Sequence, residues 1–319
     1  MGKQGVISLG EAFVDFISKD STNTEYQQLL GGATVNVAVG TRRLGIPTAY
    51  LCKLGTDETS QFVEAELRKE GLNTEFSVRT ASKNICGVCV HINDCGDRYF
   101  HSYLNQTPDE VLTEDELSRE VFEQSRIFYY GSGTLFHEKA KKTSETAIKY
   151  AKEFQNIIAF DANIRLKRWE SEVQCRKTVS SFIRNADIVK LAEDELNFLT
   201  ETNSFETGIE KLSQYRIPFL FVTMGRKGAI AVMNGDKVFV PAPAVEAIDT
   251  TGAGDAFMSA LLYCFHEKGL PAKMSQLTAY LKFANNVGAA ATTEIGSLSA
   301  EFDLAELKRQ FQNTFNESV

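Results

Sequence analysis

The chain has 319 residues, of which 43% are hydrophobic, so it is long enough to bury a sizeable core in one large domain or two ordinary ones. Acidic residues outnumber basic ones by 42 to 34, and the net charge of −8 argues against broad binding of nucleic acid or of anionic membranes. The first residues lack a basic-then-apolar signal pattern, and no apolar run reaches the ~18 residues of a membrane span, so we expect a cytoplasmic protein.

The six cysteines are too few and too scattered for a disulfide scaffold in a chain of this length, and reduced thiols are expected. One group of residues contains possible metal ligands: Cys86, Cys89, His91, Cys95 and His101. Residues 85–92, however, read as a β-branched strand, and no second C-x2-C pair exists. Buried cysteines that act as small hydrophobic residues are therefore the preferred interpretation.

The first predicted elements end in residues that suit sugar hydroxyls. A short buried strand leads to Asp15, whose carboxylate can accept hydrogen bonds, although a solvated aspartate at a strand end is the commoner case. Gly31 and Gly32 precede a helix that carries Asn36 on its first turn. The glycines let a ligand approach the backbone, and the Asn36 amide both donates and accepts. Each pattern alone is a weak signal.

The middle of the chain changes from antiparallel to parallel character. Residues 76–103 alternate like antiparallel strands, with a hairpin turn predicted at 93–97. Beyond residue 110, apolar runs alternate with charged helical stretches, and these runs are 127–130, 157–160, 188–191 and 219–222. Such an alternation predicts a parallel sheet with helices on both faces, whose ligands bind beyond the carboxyl ends of the strands. Polar segments lie at or directly after the ends of three of these runs, at 161–169, 190–195 and 223–228.

The stretch DTTGAGDAF, residues 249–257, follows strand-compatible residues at 237–240 and 245–248 and opens into an apolar helix that ends at Gly269. Its glycines therefore lie at a helix N-terminus, where free amide groups and the helix dipole can hold an anion. A carboxylate beside a phosphate is repelled unless it has another role, and for Asp255 general base is the obvious one. An ordinary N-capped helix fits the same residues equally well.

The nine residues DTTGAGDAF resemble the C-terminal signature of the PfkB/ribokinase family of sugar kinases. The N-terminal motif of that family, Gly-Gly-x-x-x-Asn-x-Ala, is matched from Gly31 to Ala38. The resemblance implies a single ribokinase-like kinase domain over residues 1–319. It would be an α/β domain with a doubly wound, mostly parallel sheet, helices on both faces, and a small lid of β-strands from about 13–31 and 84–105. In the family, these lid strands often form a dimer contact.

The resemblance also implies a role for each matched residue. Asp255 would be the base, the amides of Gly252, Ala253 and Gly254 the anion hole, and Arg165 a stabiliser of the transferred phosphate. The residues implied for the sugar are Asp15, Gly31, Gly32, Asn36, Phe100 and Asn163. The residues implied for ATP are Lys190, Thr223, Gly225, Gly228 and Asn285. Glu195 would hold Mg²⁺ through water, and Asp249 and Thr251 match positions that bind a monovalent cation such as K⁺ in some members.

Several residues depart from the family pattern. Ala192 replaces the asparagine of the Asn-x-x-Glu segment that helps hold magnesium, and Ser60 stands where glycine is more usual. Leu104 stands where fructokinases and 2-keto-3-deoxygluconate kinases often have an arginine. Because an arginine there can pair with a carboxylate, its absence disfavours a sugar acid as substrate.

We therefore expect an ATP- and Mg²⁺-dependent carbohydrate kinase, a phosphotransferase that phosphorylates a primary hydroxyl of a small sugar. Fructose is the leading candidate for the substrate, because residues 161–169 resemble the D-P-N-x-R…W segment of fructokinase-like members. An aminoimidazole riboside, a ribose-like sugar and 2-keto-3-deoxygluconate are the alternatives. A non-catalytic sugar or nucleotide sensor is a second class, which the intact Asp255 and the glycines oppose and which Ala192 and Ser60 keep open. A dinucleotide-dependent oxidoreductase is a third, but Phe257 stands where its third glycine belongs.

Overall fold

A computed structural model describes residues 2–93, 98–294, 296, 298 and 303–318. Most of the hairpin turn predicted at 93–97 lies outside the described residues, as does Cys95, one of the possible metal ligands. Across the described part of the chain, no three histidines, cysteines or carboxylates gather in a group that could hold a metal. No helix among the described residues is both long and apolar enough to cross a membrane.

The strands are β1 (Val6–Leu9), β2 (Phe13–Ser18), β3 (Tyr26–Gly31), β4 (Thr48–Leu51), β5 (Lys53–Leu54), β6 (Val78–Arg79), β7 (Cys86–Ile92), β8 (Arg98–Leu104), β9 (Ile127–Gly131), β10 (Ile157–Asp161), β11 (Ile188–Ala192), β12 (Phe219–Thr223), β13 (Ala229–Met233) and β14 (Asp236–Val240). The helices are α1 (Ala33–Arg43), α2 (Glu58–Lys69), α3 (Arg119–Gln124), α4 (Glu138–Glu153), α5 (Glu172–Ile183), α6 (Glu193–Thr200), α7 (Phe205–Ser213), α8 (Ala253–Lys268), α9 (Met274–Ala290) and α10 (Leu304–Ser318). Short 3₁₀ turns connect some of them.

An eight-stranded sheet forms the centre of the molecule, in the order β14-β13-β12-β11-β10-β9-β1-β4. It is parallel from β4 to β12 and antiparallel only across β12, β13 and β14. In β9, Ile127 and Tyr129 face the core beneath α1, α8, α9 and α10, whereas Phe128 and Tyr130 face the core beneath α3 to α7. Both faces of the strand are thus buried, which explains its unbroken apolar sequence. The predicted α/β fold class, with helices on both faces, is confirmed.

A second sheet of four strands, in the order β3-β2-β7-β8, forms the lid. Strand β2 pairs antiparallel with β3 and parallel with β7, and β7 pairs antiparallel with β8. The register places Asp15 of β2 beside Val88 of β7, and Val88 beside Tyr103 of β8. Because cross-strand neighbours share a face, these three side chains form one row on the lid.

Two sequence predictions of strands need correction. Residues 245–248 were expected to be strand-like, but the chain from 241 to 248 is irregular. Pro241 and Pro243 lack amide hydrogens and cannot extend the ladder beyond β14, which explains why the sheet stops at Val240. The sequence pattern also predicts a single strand over residues 48–54, but the structure divides this run into β4 and β5, and β5 pairs with β6 instead of with the central sheet.

Candidate active site

The first turn of α8 has the geometry of an anion site. Gly252 precedes the helix with φ 80°, a left-handed conformation that glycine adopts at little cost, and no side chain caps the helix. The Ala253 amide donates to Thr250 O at 3.3 Å, and that of Gly254 has no partner among the described residues. The helix therefore presents a free N–H group and the positive end of its dipole to any anion that binds there.

Asp255 lies on the same turn, half-buried, and its Oδ2 accepts a hydrogen bond from Asn36 Nδ2 at 2.8 Å. Burial raises the pKa of Asp255 to about 6, which the Asn36 hydrogen bond partly offsets. The negative charge of Asp161 contributes to this raised pKa, and the cations Lys190 and Arg165 oppose it. A carboxylate with this pKa is ionised at neutral pH and is a stronger base than an exposed aspartate, as suits a general base.

A buried ion pair lies directly beneath this turn. Lys190, the middle residue of β11, contacts Asp161 at the end of β10: Lys190 Nζ lies 3.0 Å from Asp161 Oδ1 and 2.9 Å from Asp161 Oδ2. Burial alone would lower the pKa of Lys190, but the carboxylates of Asp161, Glu195 and Asp255 together raise it. The ammonium is 3.1 Å from the point that a Cβ on Gly254 would occupy. Lys190 therefore adds a permanent positive charge to the anion site.

A cavity of about 280 Å³ opens between the lid and the central sheet. Its lining includes Asp15, Gly32, Asn36, Asn163, Arg165, Thr251, Gly252 and Asp255. Burial raises the pKa of Asp15 to about 6. Gly31 is not part of the lining but makes room for that carboxylate, because a Cβ at this position would lie only 2.5 Å from Asp15 Oδ2. Phe100 also lies outside the lining; it is exposed on β8, and its ring centroid is 4.9 Å from that of Tyr103.

A larger cavity, of about 540 Å³, lies on the other side of the α8 N-terminus. Its lining includes Thr223, Gly225, Gly228, Ala253, Gly254 and Asn285. Asn285 Nδ2 donates to Val240 O at 2.8 Å, so this side chain fixes α9 against the end of β14. The walls are mostly small and apolar, as suits a flat aromatic ring, and the amides of α8 lie at one end.

Glu195 links the loops that follow β10 and β11. Its Oε1 accepts the Ile164 amide at 2.6 Å and its Oε2 the Ala192 amide at 2.8 Å. Burial raises the pKa of Glu195, and the Lys190 charge opposes this increase. Each carboxylate oxygen can accept a second hydrogen bond, so the residue suits the water shell of a magnesium ion. Ala192 contributes its backbone amide to this arrangement, and an asparagine at the same position would contribute the same group.

Asp249 and Thr251, which the sequence matched to a monovalent-cation site, are joined directly. Asp249 Oδ1 accepts the Thr251 amide at 2.9 Å, and Asp249 Oδ2 accepts the Gly296 amide at 2.9 Å. The carboxylate thus fixes the loop immediately before α8 and provides negative charge beside it.

Sequence reasoning missed several residues of the smaller cavity. Tyr129 lines it with a fully buried hydroxyl that has no hydrogen-bond partner among the described residues. Val88 and Tyr103 follow from the strand register once Asp15 is placed, but a single sequence does not reveal that register. Arg168 also lines the cavity, although the sequence marked it only as one of three cations in 161–169.

The two cavities meet at one helix turn that carries an anion site and a raised-pKa carboxylate, which is an arrangement for group transfer between two small molecules. This is the class of site expected in a phosphotransferase. The pfkB family carbohydrate kinases match residues 3–302 of the chain. The chain belongs to this family, and it is accordingly a phosphotransferase that acts on a sugar hydroxyl.

Several relatives are named as fructokinases. The fructokinase of Vibrio alginolyticus is 31% identical over 300 residues, which cover 94% of this chain and 96% of that protein. The structure of the Xylella fastidiosa fructokinase with bound ATP has a TM-score of 0.87 and 25% identity, with coverage of 98% of this chain and 99% of that chain. A double mutant of the Vibrio cholerae O395 fructokinase, with fructose, ADP and potassium bound, has a TM-score of 0.83 and 28% identity, covering 97% and 99%.

Proposed function

We propose that the chain is an ATP-dependent fructokinase that phosphorylates a primary hydroxyl of fructose. One observation carries the proposal: the first turn of α8 faces both cavities, with Gly252 and Asp255 in the smaller one and Ala253 and Gly254 in the larger one. A sugar in the smaller cavity and a nucleotide in the larger one would therefore meet at the base and the anion site. The choice of fructose as the sugar rests on the names of the relatives.

In the proposed mechanism, Asp255 accepts the proton of the sugar hydroxyl while Asn36 holds the carboxylate in position. The hydroxyl oxygen forms a bond to the γ-phosphorus as the bond from that phosphorus to the β-phosphate oxygen breaks, and ADP leaves. The Gly254 amide, Lys190 and Arg165 stabilise the negative charge on the transferred group. Asp15, which lines the smaller cavity, accepts hydrogen bonds from the other sugar hydroxyls.

Cations complete the proposal. When bound, Mg²⁺ neutralises charge on the ATP phosphates, and Glu195 is placed to hold its water shell. Asp249 and Thr251 are proposed for K⁺, close to the anion site.

We also propose that residues 1–319 act as one kinase domain with a lid, and that two copies pair through β8, where Tyr99, Phe100, Tyr103 and Leu104 are exposed. A cytoplasmic location stays a prediction.

The test is an ADP-release assay with Mg-ATP, with and without K⁺, against fructose, ribose, an aminoimidazole riboside and 2-keto-3-deoxygluconate. We expect fructose to have the highest kcat/KM. A clear preference for another sugar would replace fructose and retain the kinase. No turnover with any of them, together with retained ATP binding, would favour the non-catalytic sensor.

The pKa of Asp255 predicts a pH profile. Because this pKa is about 6, the base becomes protonated as the pH falls below 6. We expect kcat/KM for fructose to fall at least about tenfold per pH unit below that point and to reach a plateau above it. Initial rates between pH 5 and 8 at saturating Mg-ATP measure this profile. Burial also raises the pKa of Asp15 to about 6, so the Asp15→Asn variant is needed to isolate Asp255. In this variant, kcat/KM for fructose should still fall about tenfold per pH unit below pH 6. A flat profile down to pH 5 would exclude Asp255 as the base.

A further inference from the structure

Arg168 is held in the sugar cavity by aromatic rings. Its guanidinium carbon lies 4.4 Å from the ring centroid of Phe136, 5.4 Å from that of Phe13 and 5.8 Å from that of Tyr103. Nη1 also donates to Gly133 O at 3.2 Å. Two of the three rings belong to the lid, so the lid and the central domain together fix one cation. Contacts of this kind favour arginine, whose planar group can stack on rings and still donate hydrogen bonds at its edge.

The charge of Arg168 is not matched by a carboxylate. Among the described residues, no carboxylate oxygen lies within 4 Å of its guanidinium, the limit for an ion pair. Glu11 is close enough to act on it electrostatically, but Glu11 Oε2 is already bound to Lys83 Nζ at 2.7 Å. Burial lowers the pKa of Arg168, which reflects the cost of placing this charge away from water. Its remaining N–H groups are donors that a ligand can satisfy.

Arg168 and the base have different surroundings in the cavity: Arg168 lies against Phe13, Tyr103 and Phe136, whereas Asp255 is bonded to Asn36 of α1. The charged groups that act on Asp255 are Asp161, Lys190 and Arg165, and Arg168 is not one of them, although Arg165 acts on Arg168 as well. Both Asp255 and Arg168 nevertheless line the same cavity. A sugar whose reacting hydroxyl is at Asp255 therefore extends toward Arg168 with its opposite end.

We propose that Arg168 determines substrate specificity, by donating hydrogen bonds to the oxygen at the end of the sugar remote from the phosphorylated hydroxyl. The inference rests on the proposed function. The ligand class is a ketohexose with an oxygen substituent at that end, either the second primary hydroxyl or the carboxylate of the matching hexulosonic acid. A guanidinium binds both, and a charged acceptor makes the stronger hydrogen bond. Arg168 thereby supplies from the loop after β10 the cation that Leu104 does not supply from the lid.

The test compares the wild type with Arg168→Met, which keeps an unbranched side chain that can pack among the three rings. The substrates are fructose, 1-deoxyfructose and 6-deoxyfructose. One deoxy sugar lacks the reacting hydroxyl, and the other lacks only the remote one. We expect Arg168→Met to raise KM for fructose about tenfold or more, the effect of losing a hydrogen bond to a charged group, with kcat within about threefold. The reactive deoxy sugar should have a raised KM in the wild type and no further rise in the variant.

Equal KM increases for fructose and for the reactive deoxy sugar would overturn the proposal, because Arg168 would then only shape the cavity. An unchanged KM for fructose would overturn it as well. Arg168→Lys retains the charge without the planar fork and should give an intermediate KM, which a merely structural role does not predict.

The hexulosonic acid with a carboxylate at the remote carbon separates this inference from the proposed function. We expect the wild type to phosphorylate this acid and Arg168→Met to lose at least tenfold in kcat/KM for it. A wild type that phosphorylates the acid in an Arg168-dependent manner but not fructose would refute the fructokinase and support the role of Arg168. If the wild type phosphorylates fructose and Arg168 makes no contribution to KM, only the proposed role of Arg168 is refuted. If the wild type phosphorylates neither substrate, both proposals fail.

Discussion

Asp255→Asn should lower kcat by about a thousandfold or more while ATP binding stays near that of the wild type. The substitution keeps the size of the side chain and its place beside Asn36, but it removes the carboxylate that we propose as the acceptor of the proton of the sugar hydroxyl. General-base catalysis contributes about 10²–10⁴ to a rate, which sets the size of the expected loss. The nucleotide cavity is lined by Ala253 and Gly254 rather than by Asp255, so binding there should persist.

The measurement is single-turnover phosphorylation of fructose, combined with calorimetric titration of the nucleotide. Asp194→Asn, an equivalent change of an exposed aspartate on α6, is the matched control and should leave both quantities unchanged. Turnover of Asp255→Asn within tenfold of the wild type would mean that another group, or solvent, accepts the proton. A parallel loss of ATP binding would instead indicate that the turn itself had been distorted.

Lys190→Met should be the most destabilising single change in the site. The Lys190 side chain is 7% exposed and that of Asp161 is fully buried, so removal of the ammonium leaves a carboxylate without its counter-charge in the core. Removing one partner of a buried pair typically costs about 3–5 kcal/mol of unfolding free energy, a large part of the stability of an ordinary protein. The neighbouring Glu195 and Asp255 carboxylates add to the cost, because Lys190 offsets their charge as well.

Thermal and urea unfolding measure this effect, and a double variant tests its cause. Lys190→Met combined with Asp161→Asn removes both charges and should recover more than half of the stability lost in Lys190→Met. If the double variant is as unstable as Lys190→Met, packing of the lysine stem rather than the unpaired charge is responsible. Lys177→Met, on α5 and away from the site, serves as a control for the same substitution elsewhere.

Local pattern was sufficient to predict the central sheet. Each of the four apolar runs from 127 to 222 is a strand, and each extends one residue beyond its predicted end. These strands are buried on both faces, so their composition alone separates them from the charged helices between them. The start of α8 was predicted equally well, because two glycines followed by an apolar helical pattern mark a helix N-terminus.

The sequence was less informative where partners come from distant segments. The irregular chain at 241–248 looked strand-like, since hydrophobic residues that line a ligand cavity have the same composition as those that fill a core. The family resemblance implied Phe100 for the sugar, whereas the cavity is lined by Tyr103, three residues further along β8. The position of the cavity depends on how β8 pairs with β7, and the strand carries aromatic residues on both faces.

The sequence alone was enough to predict the fold class, the start of α8 that we propose as the anion site, the candidate base and the family of carbohydrate kinases. These depend on contiguous motifs, in which spacing along the chain is also spacing in the structure. Only the tertiary structure brought Asn36 to Asp255, Lys190 to Asp161, and Arg168 to its three rings. The Asn36–Asp255 pair is 219 positions apart, so its members meet only through the packing of α1 against α8. Burial and charge at these contacts set the pKa values and the free hydrogen-bond donors, and these are properties of the assembled site that no single segment contains.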